Sequence, residues 1–485
     1  MALLVGVLAC LRPVARADEP NQPAADGHAR TLAAAAERFF KPLTEHHWAG
    51  VLVVGVVDER GTHVFGFGRQ AEGKPEPPDG DAVFEIGSVT KVFTGALLAD
   101  MAQRGLVSLD DPVNKLLPED IEELRCGDRE MRLVDLATHT SGLPRMPSNW
   151  KPQDPTDPYA DYSADNLHDF LKQHAGPSLG KALGELFGTK PKQSCVYSNL
   201  GVGLLGHLLE RKAGQPYEDL VVERICQPLG MTSTCFKLDN ELTARLIAGH
   251  DADGSPNKNW NFACLAPCGG LRSTVNDLLK FVAANMGLTD SPLKTALAMT
   301  QQSHYEIDAK VSVGLNWFMK SDLVFHDGMT GGYNSLVVFS KSKKIGVVVL
   351  ADTAIGGTSG LLNQVGFAFL KTLIGEKPEE PPQIRATAAV DRALLEKYAG
   401  SYSLVPLVAT ITVTCEEDKL FAQLTGQGRF RIFAESDSKF FYRIVDAQIT
   451  FELDDSGQVV RLVLHQNGKD TPAGRVPEST KKEAR

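Results

Sequence analysis

The chain has 485 residues, 43% apolar and 23% charged, and its 60 acidic and 50 basic side chains leave a net charge of −10. These are ordinary globular values and leave room for a sizeable core in roughly two to four units of ~150 residues. The acidic balance argues against nucleic acid or an anionic membrane as main partner, and no apolar run is long enough for an integral membrane segment.

Ala2–Leu11 is apolar and is followed by Ala15-Arg16-Ala17 and polar Asp18, the pattern of a signal peptide over residues 1–17 and of export to the periplasm or beyond. No basic residue precedes the apolar stretch, so a cytosolic leader stays open, as does lipid anchoring at Cys10. Asp18–Arg30 reads as a polar lead-in. Thr31–His46 reads as a helix with Leu32, Ala35, Phe39 and Leu43 on one stripe. Val51–Val57 and Thr62–Phe67 flank Asp58-Glu59-Arg60-Gly61 as a hairpin.

The helix after Ser88 is apolar nearly all round, as one buried between two layers would be. Pro147–Asp161 is a Pro- and Asp-rich loop. Helical patterns run over Asn166–Gln173, Leu200–Lys212 and Asn276–Asn285, and strands are predicted over Val311–Phe318, Leu323–His326, Ser335–Ser340 and Gly346–Ala351. A helix over Leu361–Leu373 ends the first unit, residues 18–375.

Residues 376–387 form a Pro- and charge-rich linker. Beyond it, residues 388–472 carry short alternating strands over Thr410–Thr414, Leu420–Leu424, Phe430–Phe433, Phe440–Ile444, Ile449–Leu453 and Val459–Leu464. They read as an all-β meander or small barrel, with residues 473–485 as a tail. Eight cysteines do not make a disulfide framework in so long a chain; Cys264/Cys268 and Cys226/Cys235 are close enough in sequence to bridge if geometry allows, and free buried thiols are the expected state of most. With no Cys-x-x-Cys pair or clustered histidines, no metal or cofactor is assigned.

Three stretches could carry chemistry. Ser88 and Lys91 lie one helical turn apart, so their side chains share a face. A desolvated lysine can take the serine proton, and the helix start offers free N–H groups to a developing oxyanion. Ser-x-x-Lys recurs elsewhere, as at Ser148/Lys151 and Ser340/Lys343, where a solvated surface pair is the simpler reading. Lys91 differs because it enters an apolar helix, where an unpaired charge is costly. Tyr197-Ser-Asn199 precedes a second apolar helix: Tyr197 could shuttle protons beside a cation and Asn199 could bind a substrate amide or hold the lysine. A core tyrosine with Asn199 as helix cap is the plain alternative. His326-Asp327-Gly328 closes a predicted strand, and its glycine lets the backbone lie against a ligand; a structural histidine is the alternative.

Together, Ser88-x-x-Lys91, Tyr197-x-Asn199 and His326-x-Gly328 resemble the active-site motifs of the penicillin-binding protein/class C β-lactamase superfamily. The resemblance extends to Asp135-Leu-Ala-Thr-His-Thr-Ser-Gly-Leu-Pro144, Pro228-Leu-Gly-Met231 and Gly269-Gly-Leu-Arg-Ser-Thr274 with Asp277. More loosely, the second unit, from Tyr398-Ala-Gly-Ser-Tyr402, resembles the lipocalin-like β domain often appended to such hydrolases. The implied fold is α/β in the α+β sense: a five-stranded antiparallel sheet flanked by helices, with a helical subdomain and the site between them. The resemblance implies Ser88 as acylated nucleophile and Lys91 and Tyr197 sharing acid and base duty. It further implies Asn199, His326 and Gly328 binding substrate, and the backbone N–H groups of Ser88 and Met329 as oxyanion hole.

One departure concerns charge. Many β-lactamases and DD-peptidases have Lys-Thr-Gly where this chain has His326-Asp327-Gly328. A histidine of ordinary pKa is mostly neutral at pH 7, and Asp327 adds a negative charge nearby. If protonated His326 anchored a substrate carboxylate, the Michaelis constant would rise above pH 7.

The activity implied is a D-alanyl-D-alanine carboxypeptidase or endopeptidase acting on peptidoglycan peptides. A β-lactamase, an esterase of the same fold, and a non-catalytic penicillin sensor or wall-binding protein stand as alternatives. A buried lysine without purpose is rare, which weighs against the last.

Overall fold

The computed structural model describes residues 23–70, 77–174, 194–355, 360–376, 380–404 and 409–477. The leader read over residues 1–17, with Cys10, and the end of the tail lie outside the described residues. The first helix spans Pro23–Glu45, so much of the expected lead-in is helical.

An antiparallel sheet of eight strands forms the centre of the first unit. Its order is Gly61–Gly68, Val51–Asp58, Ile345–Ala351, Asn334–Ser340, Leu323–Met329, Phe318–Lys320, Val311–Val313, Tyr305–Glu306. The first five are long, as the resemblance implied; three strands of two or three residues extend that sheet at one edge. The strand expected over Val311–Phe318 is broken, because the chain turns at Asn316, whose φ is +65°.

Alternation along the central strands feeds two separate cores. Val53, Val337, Phe339, Val348 and Leu350 face the helical side of the molecule. Leu52, Val54, Val56, Leu336, Val338, Val347 and Val349 face the layer built from Pro23–Glu45 and Leu361–Leu373. Each fully buried Val or Leu contributes about 2 kcal/mol, which fixes the register, since a one-residue slip would exchange the faces.

On the helical side, every residue of the Thr90–Gln103 helix from Thr90 to Met101 is buried. It packs against the Lys294–Thr300 and Asn199–Ala213 helices, which explains why its sequence shows no polar face.

In the second unit the six expected strands are joined by Gly400–Leu404 and Lys469–Arg475, which pair with each other and close an eight-stranded barrel. Its interior is filled by side chains such as Tyr402, Ile411, Leu420, Ile449, Phe451 and Leu462. The short helix Arg392–Tyr398 brings Tyr398 into a stack on Phe451, with ring centroids 4.1 Å apart.

The barrel is docked on the first unit. Phe433 and Phe441 belong to the same apolar cluster as Phe39, Phe40 and Trp48. Trp48 stacks on Phe441 at 5.4 Å and donates its indole N–H to the Arg385 carbonyl at 2.8 Å. All seven cysteines among the described residues are free, so neither candidate bridge forms.

Candidate active site

From Ala82 to Met101 every residue is buried except Ser88, which is partly exposed. Ser88 sits in a single 3-10 turn, Gly87–Val89, that leads into the Thr90–Gln103 helix. Gly87 has φ +48°, and a Cβ there would lie 2.8 Å from the Met329 backbone. Opposite it, a Cβ on Gly328 would lie 2.1 Å from the Ile86 carbonyl oxygen and 2.9 Å from the Ser88 nitrogen. The Ser335 hydroxyl donates to that Ile86 carbonyl at 2.7 Å. Two glycines thus let the serine turn lie directly on the end of the strand, with the Ser88 and Met329 amides in neighbouring backbone positions.

Lys91 is wholly buried. Its Nζ lies 3.0 Å from Ser88 Oγ and 2.5 Å from the Cys268 carbonyl oxygen. That carbonyl ends the 3-10 turn Ala263–Cys268, which is seated on glycines of the neighbouring helix: Cβ atoms on Gly203 and Gly206 would lie 2.5 Å from Leu265 and 2.1 Å from Pro267. Thr94 donates to the Pro267 carbonyl at 2.7 Å and fastens the same turn.

Tyr197 lies just before the Asn199–Ala213 helix, with Lys91 Nζ 4.9 Å from its ring centroid. The alternative in which Asn199 caps this helix does not hold. Ser198 is the cap, its Oγ accepting the Gly201 N–H at 2.8 Å. Asn199 instead donates to the Tyr159 hydroxyl at 3.2 Å and to Met146 Sδ at 3.6 Å, leaving its buried Oδ1 without a hydrogen-bond partner among the described residues. Its amide turns toward Tyr159 rather than holding Lys91.

The residue that sets Tyr197 in place is one to which the sequence reading gave no role. His139 is wholly buried, adopts φ +59°, and brackets Tyr197 on both sides. Its carbonyl accepts the Val196 N–H at 2.8 Å and its Nδ1 accepts the Ser198 N–H at 3.2 Å. Its ring lies 4.5 Å from that of Tyr197. Burial, then Lys91 and His326 nearby, holds its pKa well below the ordinary histidine value. A histidine lodged between Thr138 and Thr140 just before Ser141-Gly142 was the available signal.

His326 lies within the Leu323–Met329 strand, 1% exposed, with ring centroids 6.3 Å from Tyr197 and 5.6 Å from Phe318. Its Nδ1 lies 2.6 Å from the Asp327 carbonyl, which can only accept, so Nδ1 carries the proton and Nε2 is left as an acceptor. Burial and then Lys91 push its pKa down to about 3. The imidazole is therefore neutral throughout the neutral range and no titration near pH 7 is available to it. Strand alternation turns Asp327 to the opposite face, where burial raises its pKa against the hydrogen bond from Asn363.

Two apolar side chains stand exposed beside the site, Val196 at 45% and Met329 at 44%. Beside Asn199, Tyr159 stacks on Phe262 at 4.5 Å and meets Trp150 and Trp260 at 5.5 and 5.4 Å. The arrangement can bind an amide or ester through apolar contacts and present it to one activated hydroxyl.

Comparison with known proteins agrees with this geometry. The family model described as Beta-lactamase matches residues 36–363, more than half of the chain. A second, described as a domain of unknown function (DUF3471), matches residues 385–475. The chain is similar to a beta-lactamase of Pseudomonas fluorescens, 27% identical over 353 residues that cover 64% of this chain and 91% of that protein. It is similar to penicillin-binding protein 4* of Bacillus subtilis (strain 168), 23% identical over 446 residues that cover 85% of this chain and 91% of the other. Among solved structures, a class C beta lactamase from Rhodobacter sphaeroides superposes with a TM-score of 0.59 at 25% identity, over 71% of this chain and 99% of that one.

Proposed function

The chain belongs to the beta-lactamase family and is a serine hydrolase, and on that premise we propose that it is a D-alanyl-D-alanine carboxypeptidase or endopeptidase acting on peptidoglycan peptides. The observation that carries the chemistry is the fully buried Lys91 amine 3.0 Å from Ser88 Oγ. In its amine form Lys91 donates one N–H to the Cys268 carbonyl and takes the Ser88 proton with its lone pair. Ser88 Oγ then bonds to the substrate carbonyl carbon. The carbonyl oxygen, now charged, lies against the Ser88 and Met329 amides.

The proton passes by way of Tyr197 to the leaving nitrogen as the C–N bond breaks. Water reverses the sequence: it gives one proton back through the same groups, attacks the acyl carbon and frees a carboxylic acid with Ser88 Oγ–H restored. The unpaired Oδ1 of Asn199 is suited to receive a substrate amide N–H. The similarity to penicillin-binding protein 4*, over 85% of this chain, supports a site that takes penicillin-like acyl compounds. An exported location, read from residues 1–17, would set the enzyme beside its polymer.

The similarity to a beta-lactamase favours a second reading, cleavage of the β-lactam amide, which differs only in how fast water clears the acyl group. Intact mass followed over time after adding a penicillin separates the two. A long-lived adduct together with release of D-alanine from purified muropeptides is the expected result. An adduct that vanishes within seconds, with muropeptides untouched, would establish the β-lactamase instead.

A further inference from the structure

Arg145 follows the Asp135–Pro144 segment directly and takes no part in the acyl transfer described above. Its carbonyl accepts the N–H groups of Asn199 at 3.0 Å and Leu200 at 3.2 Å, so the residue is fastened to the first turn of the helix that carries the site. The guanidinium lies 5.1 Å from the Tyr197 ring centroid, and the residue is exposed. Arg104, Arg129 and Arg132 each pair with a carboxylate, whereas among the described residues no ion pair involves Arg145.

Among the described residues, the cations placed in the site above are not free to pair with a substrate. Lys91 Nζ is committed to Ser88 and the Cys268 carbonyl, and it is buried. The strand position that could have held a lysine holds the buried His326, whose Nε2 accepts rather than donates. A guanidinium held over a ring by its cation–π contact still has N–H groups to offer, and its fork matches a carboxylate with two parallel N–H donors.

We propose that Arg145 is the anion anchor of this site and binds a free carboxylate of the substrate across the face of Tyr197. The inference rests on the hydrolase reading above and names its substrate class: acyl compounds, peptide or ester, that carry a carboxylate within reach of Tyr197. The carboxylate could belong to the acyl part or to the leaving group.

Two pairs of phenyl esters distinguish these sources. One pair sets phenyl butyrate against phenyl hemisuccinate, charged on the acyl side. The other sets phenyl acetate against 4-carboxyphenyl acetate, charged on the leaving side. The full-length enzyme is expected to prefer the anionic member of one pair. In Arg145→Gln the ratio of kcat/KM between anionic and neutral members of that pair should fall about tenfold, mainly through KM. Arg145→Lys should keep part of the preference, and added salt should compress it.

Unchanged ratios in both pairs would overturn the proposal. So would an equal fall for all four esters, which would mean that Arg145 only supports the Tyr197 ring, or an absence of turnover with every ester. The Ser88→Ala enzyme run in parallel separates the two levels: ester hydrolysis that survives it would refute the nucleophile, whereas flat ratios with Ser88-dependent turnover refute only the anchor.

Discussion

Lys91 is the residue whose burial most needs a reason. An amine with no exposed surface is costly to keep, and its two partners here are Ser88 Oγ and one backbone carbonyl. Lys91→Met preserves the length of the side chain and removes the base. Acylation by penicillin should fall about 10³-fold, while the melting temperature holds or rises, because an apolar isostere escapes the desolvation cost. A variant that loses stability and keeps its acylation rate would make Lys91 structural. His326 carries a pH signature of its own. Its folded pKa of about 3 lies below the ordinary histidine value, so the unfolded chain binds the extra proton between those limits. Stability should therefore fall as pH drops through that window, by up to about 1.4 kcal/mol per pH unit, and His326→Gln should flatten the fall. Urea titrations at pH 4, 5, 6 and 7 read this directly; parallel curves for the two proteins would contradict it.

Between elements, the contact that decides the site is the one His139 makes across the Tyr197 loop. His139→Phe keeps a ring against Tyr197 and loses the acceptor for the Ser198 N–H, so kcat should fall about ten- to hundredfold with KM little changed. His139→Asn, whose Oδ1 can accept in the same place, should recover part of that loss. Equal kcat in the two variants would deny the clamp. The sequence offered only the unusual setting of His139 between two threonines as a signal; the clamp itself needs a left-handed backbone at His139 and a chain segment far away in sequence. Lys91, by contrast, was legible because a lone charge interrupts an apolar run. The long strands were legible for a similar reason: buried on both faces, Val51–Val57 and Gly346–Ala351 read as unbroken apolar runs. The edge strands Tyr305–Glu306, Val311–Val313 and Phe318–Lys320 are too short to show alternation, so the sheet reads as smaller than it is. In the barrel, the closing strand Lys469–Arg475 contains Pro472 and Gly474 and turns only Ala473 fully inward, which hides it among turn residues.

At the scale of the whole molecule, the sequence divides the chain at a Pro-rich linker, and we propose that the first unit, residues 18–375, folds without the barrel. The seam between them is nonetheless an apolar one. Trp48, 4% exposed, stacks on Phe441, and the Arg443 guanidinium of the barrel lies 5.4 Å from the Trp48 ring centroid. A chain ending at Gly375 should keep its penicillin acylation and lose several degrees of melting temperature. Trp48→Ala in the full chain should cost about 3 kcal/mol and split calorimetric unfolding into two transitions. One unchanged transition would show that the seam contributes nothing.

The proposed chemistry depends on Ser88 Oγ being the atom that becomes acylated. Full-length protein treated with a penicillin, digested and mapped by mass spectrometry, should carry the added mass on the peptide that contains Ser88, and Ser88→Ala should carry none. An adduct on any other residue, or one that persists in Ser88→Ala, would place the chemistry elsewhere.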